Sequence, residues 1–197
     1  MEIISIEKNP ELAGKKLKQA LETGKIIIYP TDTCYGIGGN GLDKKVVEKI
    51  YKIKKRKRNN PVSVIIGDIS LAEKFCIISP SERKKLKKYI PGPYTILLRR
   101  NKKRIPVGDK IRLGIRIPKY PFLQNIMRNM EIPLITTSAN ISGDLKSPTK
   151  IDEISKEVLK KADIVLDGGE TKYKYPSTII DLPTGRVLRD FITQRKV

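Results

Sequence analysis

Three short stretches hold the residue types that could do chemistry. The first is Pro30-Thr31-Asp32-Thr33, two hydroxyls flanking a carboxylate. Pro30 cannot donate to a ladder, so it ends the apolar run before it and leaves a loop where α/β proteins usually hold ligands. The second is Lys54-Lys55-Arg56, followed by Asn60. A lysine point charge beside an arginine fork suits a triphosphate, one neutralising and the other gripping oxygens in pairs. The third is TTSANISG, 136–143, in which Thr136, Thr137, Ser138, Asn140 and Ser142 follow an apolar run. That set of small donors and acceptors could hold phosphate, ribose or an amino acid. Each stretch also has a plainer reading: a hydroxyl-rich turn, a solvated charge run, and a polar loop capping the next segment.

The sequence contains no histidine, so its chemistry must proceed without the commonest general base. Cys34 therefore lacks an activating partner and reads as a small buried hydrophobe rather than a nucleophile. No C-x-x-C pair or carboxylate–histidine cluster offers a zinc site, which leaves Mg²⁺ carried in on substrate phosphates.

Gly36, Gly38 and Gly41 satisfy G-x-G-x-x-G, the spacing of dinucleotide-binding loops. That fingerprint needs a strand running straight into the glycines and a helix starting on the last of them. Here PTDTCY intervenes, and helical spacing begins only near Asp43. The glycines are better read as letting the backbone turn and approach a ligand closely.

These stretches need elements to position them. Runs rich in β-branched residues lie at 25–29, 61–67, 94–100, 113–118, 133–138, 163–168 and 177–182, bounded by glycine, proline or asparagine. Helical periodicity covers 9–22, 43–56, 70–75, 80–89, 120–129 and 151–160. The interleaving predicts an α/β protein of three layers, a twisted mixed sheet with helices on both faces, as one domain over 1–197. No apolar stretch approaches the roughly 20 residues that span a bilayer. The two cysteines make no disulfide framework, and the opening residues lack the apolar core of a signal peptide. A reduced cytoplasmic protein is the expectation.

Forty-one Lys and Arg face 21 Asp and Glu, a formal +20. Nine of the cations fall within 43–58. Such a field attracts polyanions. Part of the cluster needs no partner, since cations favour helix C-termini and charge-rich surfaces accompany heat adaptation. An acid-poor balance leans toward an RNA or nucleotide partner.

Taken in order, PTDTxYG, Lys54-x-Arg56 with Asn60-Pro61, PGPYT (91–95), GIRIP (114–118), Ser138-Ala139-Asn140, STIID (177–181) and VLR (187–189) resemble the YrdC family, over about residues 10–190. The resemblance implies an L-threonylcarbamoyl-AMP synthase, a nucleotidyltransferase. It would join L-threonine, bicarbonate or CO₂, and ATP, releasing pyrophosphate, for the modification of adenosine 37 in tRNAs that read ANN codons. By the same resemblance Lys54 and Arg56 take the nucleotide phosphates as the catalytic pair. Asn60, Ser138, Asn140 and Arg189 complete the ATP site, while Thr33, Arg116, Thr136 and Ser177 face threonine. Arg116 would hold the threonine carboxylate. The partners implied are tRNA on the basic face and a downstream tRNA threonylcarbamoyl transferase.

Two departures stand out. Ile65 occupies a strand where many members carry histidine, which weakens one threonine contact that the resemblance implies. The ending reads VLRDF, so Asp190 and Phe191 replace the usual Pro-Gly beside Arg189. The competing reading is an RNA-binding module of the same fold without synthesis. The carbamoyl-adenylate chemistry of hydrogenase maturation would require acylphosphatase and zinc-finger regions that this sequence lacks.

Overall fold

Alternating burial along the β-type runs builds a sheet covered on both faces. The protein was analysed as a computed structural model that describes residues 1–103 and 105–191. In chain order its elements are β1 (Glu2–Ser5), α1 (Pro10–Glu22), β2 (Ile27–Tyr29), β3 (Gly36–Gly38), α2 (Lys44–Ile53), β4 (Ser63–Ile65), α3 (Ile69–Glu73), β5 (Cys76–Ile77), α4 (Pro80–Leu86), β6 (Tyr94–Arg100), β7 (Arg112–Arg116), α5 (Pro121–Met127), β8 (Leu134–Ser138), a 3-10 turn (Ile151–Glu153), α6 (Lys156–Leu159), β9 (Ile164–Asp167), β10 (Thr178–Asp181) and β11 (Arg186–Arg189).

The strands lie in the order β1-β9-β2-β3-β8-β4-β7-β6-β10-β11, with β5 on β6. Pairing is mixed: β4 runs parallel to β7 and β6 to β10, whereas β3 and β4 are both antiparallel to β8. This is the three-layer mixed α/β architecture that the interleaved runs predict.

The period of two divides the apolar residues between two cores. Ile26, Ile28 and Ile37 meet Val46, Val47 and Ile50 of α2 on one face. Ile27, Tyr29, Ile65 and Leu134 meet Leu17 and Leu21 of α1 and Leu123 and Met127 of α5 on the other. A strand buried on both faces reads as an unbroken apolar run, as KIIIY does. Among the described residues, no helix is long and apolar enough to cross a membrane.

Helix α2 carries the basic run toward the site. Asp43 caps it, its Oδ1 accepting the Lys45 N–H at 2.8 Å. Its far end closes as a Schellman turn, with Arg56 N–H donating to Tyr51 O (3.0 Å) and Lys55 N–H to Lys52 O (3.1 Å). Lys55 takes the left-handed position, φ +51°, that glycine usually fills. The helix therefore stops at Ile53, and Lys54 and Arg56 lie on the turn beyond it.

The sequence reading missed four strands. β1, β5 and β11 are short and lie at or near sheet edges. β3 matters more, because Gly36–Gly38, read as a turn, lies mid-sheet between β2 and β8. A Cβ on Gly38 would stand 1.9 Å from the Ile135 carbonyl oxygen, and one on Gly41 would stand 2.8 Å from that of Pro133. The G-x-G-x-x-G spacing is a close strand–strand approach, not a phosphate cradle.

Gly38→Ala should accordingly destabilise the protein by about 3 kcal/mol, the upper end for overpacking. Gly14→Ala, where the new methyl meets only the tip of Ile126 at 3.3 Å, should change stability by less than about 1 kcal/mol. Urea unfolding of the two variants checks this, and equal midpoints would contradict it.

Candidate functional site

The PTDT loop joins antiparallel β2 to β3 and is folded by its own hydroxyl. Thr31 Oγ1 accepts the N–H groups of Thr33 (3.1 Å) and Cys34 (3.3 Å) and donates to Cys34 O (2.8 Å). The turn delivers Asp32 into the protein at 1% exposure. There Asp32 Oδ1 meets Arg116 Nη2 at 2.8 Å, and Oδ2 accepts the Lys119 N–H at 2.9 Å. The same Arg116 nitrogen donates to Thr33 Oγ1 at 3.0 Å. Arg116 ends β7 and is itself 5% exposed. Its Nε is buried with no hydrogen-bond partner in the protein.

Arg116 borders a cavity that opens to solvent. The cavity lies on the sheet face that α1 and α5 cover elsewhere. Ser63 and Thr136, paired across β4 and β8, sit two residues from Ile65 and Leu134 of the covered core, and so point to the same side. Gly36, paired with Ser138, and Thr95, paired with Ile179, continue the floor across β3, β8, β6 and β10. Where the covered stretch carries isoleucine and leucine, this stretch carries glycine, serine and threonine, and the missing volume is the cavity.

Three guanidiniums reach its wall: Arg56, Arg116 and Arg189. No carboxylate lines it among the described residues. Arg56 grips the following loop, Nε donating to Asn60 O (2.7 Å) and Nη2 to Asn60 Oδ1 (2.8 Å) and Pro61 O (3.1 Å). Arg189 Nη2 donates to Ser177 O at 2.8 Å, and the Ser177 and Thr95 hydroxyls are 2.7 Å apart. Such a wall suits a multiply charged anion with hydroxyl or amine groups nearby.

Of the residues expected from sequence, Arg56, Arg116, Thr136, Ser138, Ser177 and Arg189 line this one cavity. Thr33, Lys54, Asn60 and Asn140 lie behind the wall and hold it. Lys54 is 1% exposed, and its Nζ donates to Ser138 O (2.5 Å), Asn140 O (2.6 Å) and Asn140 Oδ1 (3.3 Å). Asn140 Oδ1 also accepts the Ser138 hydroxyl at 2.6 Å. The lysine thus fixes the Ser138–Asn140 turn. Burial, reinforced by the charge of Arg56, lowers its pKa to about 8.

Thr31 and Thr137, from two of the stretches singled out in sequence, line the cavity too, and so do Ser63 and Thr95, which sequence reasoning did not single out. For Thr95 the signal was present in PGPYT. The partnership of Asp32 with Arg116 had no local signal. Ile65 is packed in the core beneath α5, off the cavity wall. The VLRDF ending leaves Arg189 on the wall, with Phe191 N–H donating to Thr178 Oγ1 at 3.3 Å. Cys34 touches the cavity, and burial raises its thiol pKa, keeping it protonated.

The family model that joins Sua5, YciO and YrdC, described as "Telomere recombination", matches residues 19–190. The chain belongs to this family. A Methanocaldococcus jannaschii protein provisionally named threonylcarbamoyl-AMP synthase is 44% identical over 172 residues, 87% of this chain and 81% of its own length. The threonylcarbamoyl-AMP synthase of Chromobacterium violaceum is 32% identical over 187 residues, covering 91% of this chain and 96% of its own. The crystal structure of Pyrococcus abyssi Sua5 complexed with L-threonine superposes with a TM-score of 0.81 at 30% identity, over 96% of this chain. This chain spans 57% of that longer protein.

Lys54→Met tests the buried ammonium. The folded value near 8 lies below the free value of 10.5, so the unfolded chain binds this proton more tightly. Stability relative to Lys54→Met should then rise with pH between about 8 and 10.5, by up to about 3 kcal/mol. Urea midpoints of both proteins near pH 7 and pH 10 measure this. A gap independent of pH would contradict it.

Proposed function

We propose that this chain condenses L-threonine, CO₂ or bicarbonate, and ATP into threonylcarbamoyl-AMP and pyrophosphate, acting as a single catalytic unit over 1–197. One observation carries the reading: a cavity with three fixed guanidiniums, no lining carboxylate among the described residues, and a ring of small hydroxyls. The synthase names of the relatives support it.

The reaction asks for positioning more than for a base, which fits a chain without histidine. Threonine's neutral amine adds to CO₂, giving a carbamate and a proton; when bicarbonate is the source, the products are the carbamate and water, with no net proton. A carbamate oxygen attacks the α-phosphorus of ATP, the α–β bridging P–O bond breaks, and pyrophosphate departs with the electron pair. Arg116, on the cavity wall, takes the threonine carboxylate, while Thr136, Ser177 and the Thr33 hydroxyl behind Arg116 shape the threonine side. Arg56 and Arg189 neutralise the phosphates, aided by the Ser138 hydroxyl. Lys54, Asn60 and Asn140 hold those groups still.

Mg²⁺ enters with ATP as part of the substrate and offsets phosphate charge. The hydroxyl and guanidinium lining suits the oxygens of such a complex better than a bare cation. The product serves the modification of adenosine 37 in tRNAs reading ANN codons, through a downstream transferase in the cytoplasm, where the two free cysteines stay reduced. The +20 charge also suits an RNA-binding module without synthesis, and the same assay separates the two.

Pyrophosphate release should require L-threonine and bicarbonate together. Arg56→Ala should lower the rate by about 10²-fold, the scale of losing one preorganised charge donor. Release that ignores threonine, or an unchanged Arg56→Ala rate in folded protein, would contradict the reading.

A further inference from the structure

Tyr35 follows the PTDT turn and takes no part in the cavity wall. Its ring packs in the core at 0% exposure, yet its hydroxyl reaches backbone groups 133 and 134 residues away. Gly168 N–H donates to Tyr35 Oη at 3.1 Å, and Oη donates to Gly169 O at 2.8 Å, with Asp167 Oδ1 a second acceptor at 3.3 Å. Burial raises the phenol's pKa, so it stays a donor at any working pH.

The two glycines open a strap, 168–177, that joins β9 to β10. Gly168 is pressed into place, since a Cβ there would lie 2.7 Å from Pro30 Cγ. Gly169 takes a left-handed φ of +68°. Beyond them the strap grips the PTDT turn twice. The Thr171 hydroxyl donates to Thr33 O at 2.8 Å, and Tyr173 N–H donates to Asp32 O at 2.9 Å. The far end is anchored separately: the Ser177 and Thr95 hydroxyls are 2.7 Å apart, and Thr178 N–H donates to Pro93 O at 3.0 Å. Slack at the glycines would therefore reach the Asp32–Arg116 pair before it reached Arg189.

We infer that Tyr35 is a positioning residue for amino-acid binding: its phenol pins the start of the strap, and the strap holds Asp32 and Thr33 against Arg116. This deepens the threonine reading above and rests on it. Removing the phenolic oxygen orphans the Gly168 N–H and takes a partner from the Gly169 carbonyl, which loosens the strap locally. A tyrosine that served the fold alone would lower global stability and leave the affinity of the folded protein unchanged.

Hydrogen exchange and calorimetry on Tyr35→Phe test this. Without substrate, exchange should quicken about tenfold across 168–173, the scale of one lost buried hydrogen bond, and keep the wild-type rate in α1 and β8. L-threonine should bind about tenfold more weakly, and ATP as in wild type. Thr171→Val, which cuts the grip on Thr33 without touching Tyr35, should give the same split between the two ligands. The double variant should lose less than the two single losses combined, because both act through one strap. Wild-type exchange across 168–173, wild-type threonine affinity in Tyr35→Phe, an equal loss for ATP, or fully additive losses would each overturn the inference. Wild-type protein that binds no threonine would instead sink the synthase reading, and the exchange rates would still decide whether Tyr35 pins the strap.

Discussion

The ion pair between Asp32 and Arg116 ties the site to the sheet. Both side chains are almost wholly excluded from water, so each depends on the other and on its remaining hydrogen bonds. Removing one partner from such a pair typically costs about 3–5 kcal/mol, because the other charge is left buried and alone. The pair also does structural work along the chain. Asp32 receives the Lys119 backbone after β7, its carbonyl accepts Tyr173, and the Thr33 carbonyl accepts Thr171. Two distant segments, 116–119 and 171–173, thus converge on one carboxylate-bearing turn. A lysine at 116 would not reproduce this, since its point charge lacks the planar fork that spreads donors over several nitrogens while one of them holds Asp32 and Thr33.

A second constraint is volume. The face that holds the cavity is the same one that α1 and α5 seal with Leu17, Leu21, Leu123 and Met127. Gly36, Ser63 and Thr95 leave the open part unfilled, and the arginines enter from its borders. The cations must not repel one another out of place, and each is anchored accordingly: Arg116 by Asp32, Arg56 by the Asn60 loop, Arg189 by the Ser177 carbonyl. Backbone carbonyls anchor two of the three without adding negative charge. The cavity therefore keeps its positive character for an anionic substrate.

Much of this was legible in the sequence because the signals were local. KIIIY, PLITTS and STIIDL are strands because continuous β-branched runs demand burial on both faces. Asp43 and the Val46, Val47, Ile50 spacing marked α2, and six of the residues that the motif order singled out line one cavity. What stayed hidden was non-local. Gly36–Gly38 carries no β-propensity, and it is a strand only because β2 and β8 approach too closely for a side chain. Nothing local to Lys54 announced the three acceptors of its ammonium, which lie 84 to 86 residues away on the Ser138–Asn140 turn. Asp32 and Arg116 are likewise 84 residues apart, a partnership that no periodicity or turn signature encodes.

The account's central claim is that Asp32 holds Arg116 ready for the carboxylate of threonine. Calorimetric titration of L-threonine into wild-type and Asp32→Asn protein, each verified as folded by circular dichroism, tests this most directly. The amide keeps the shape and some hydrogen bonding but loses the charge that orients the guanidinium. The account predicts at least about tenfold weaker threonine binding in Asp32→Asn, equivalent to about 1.4 kcal/mol. Equal affinity in the two proteins would contradict it, and would mean that threonine is recognised without the buried pair.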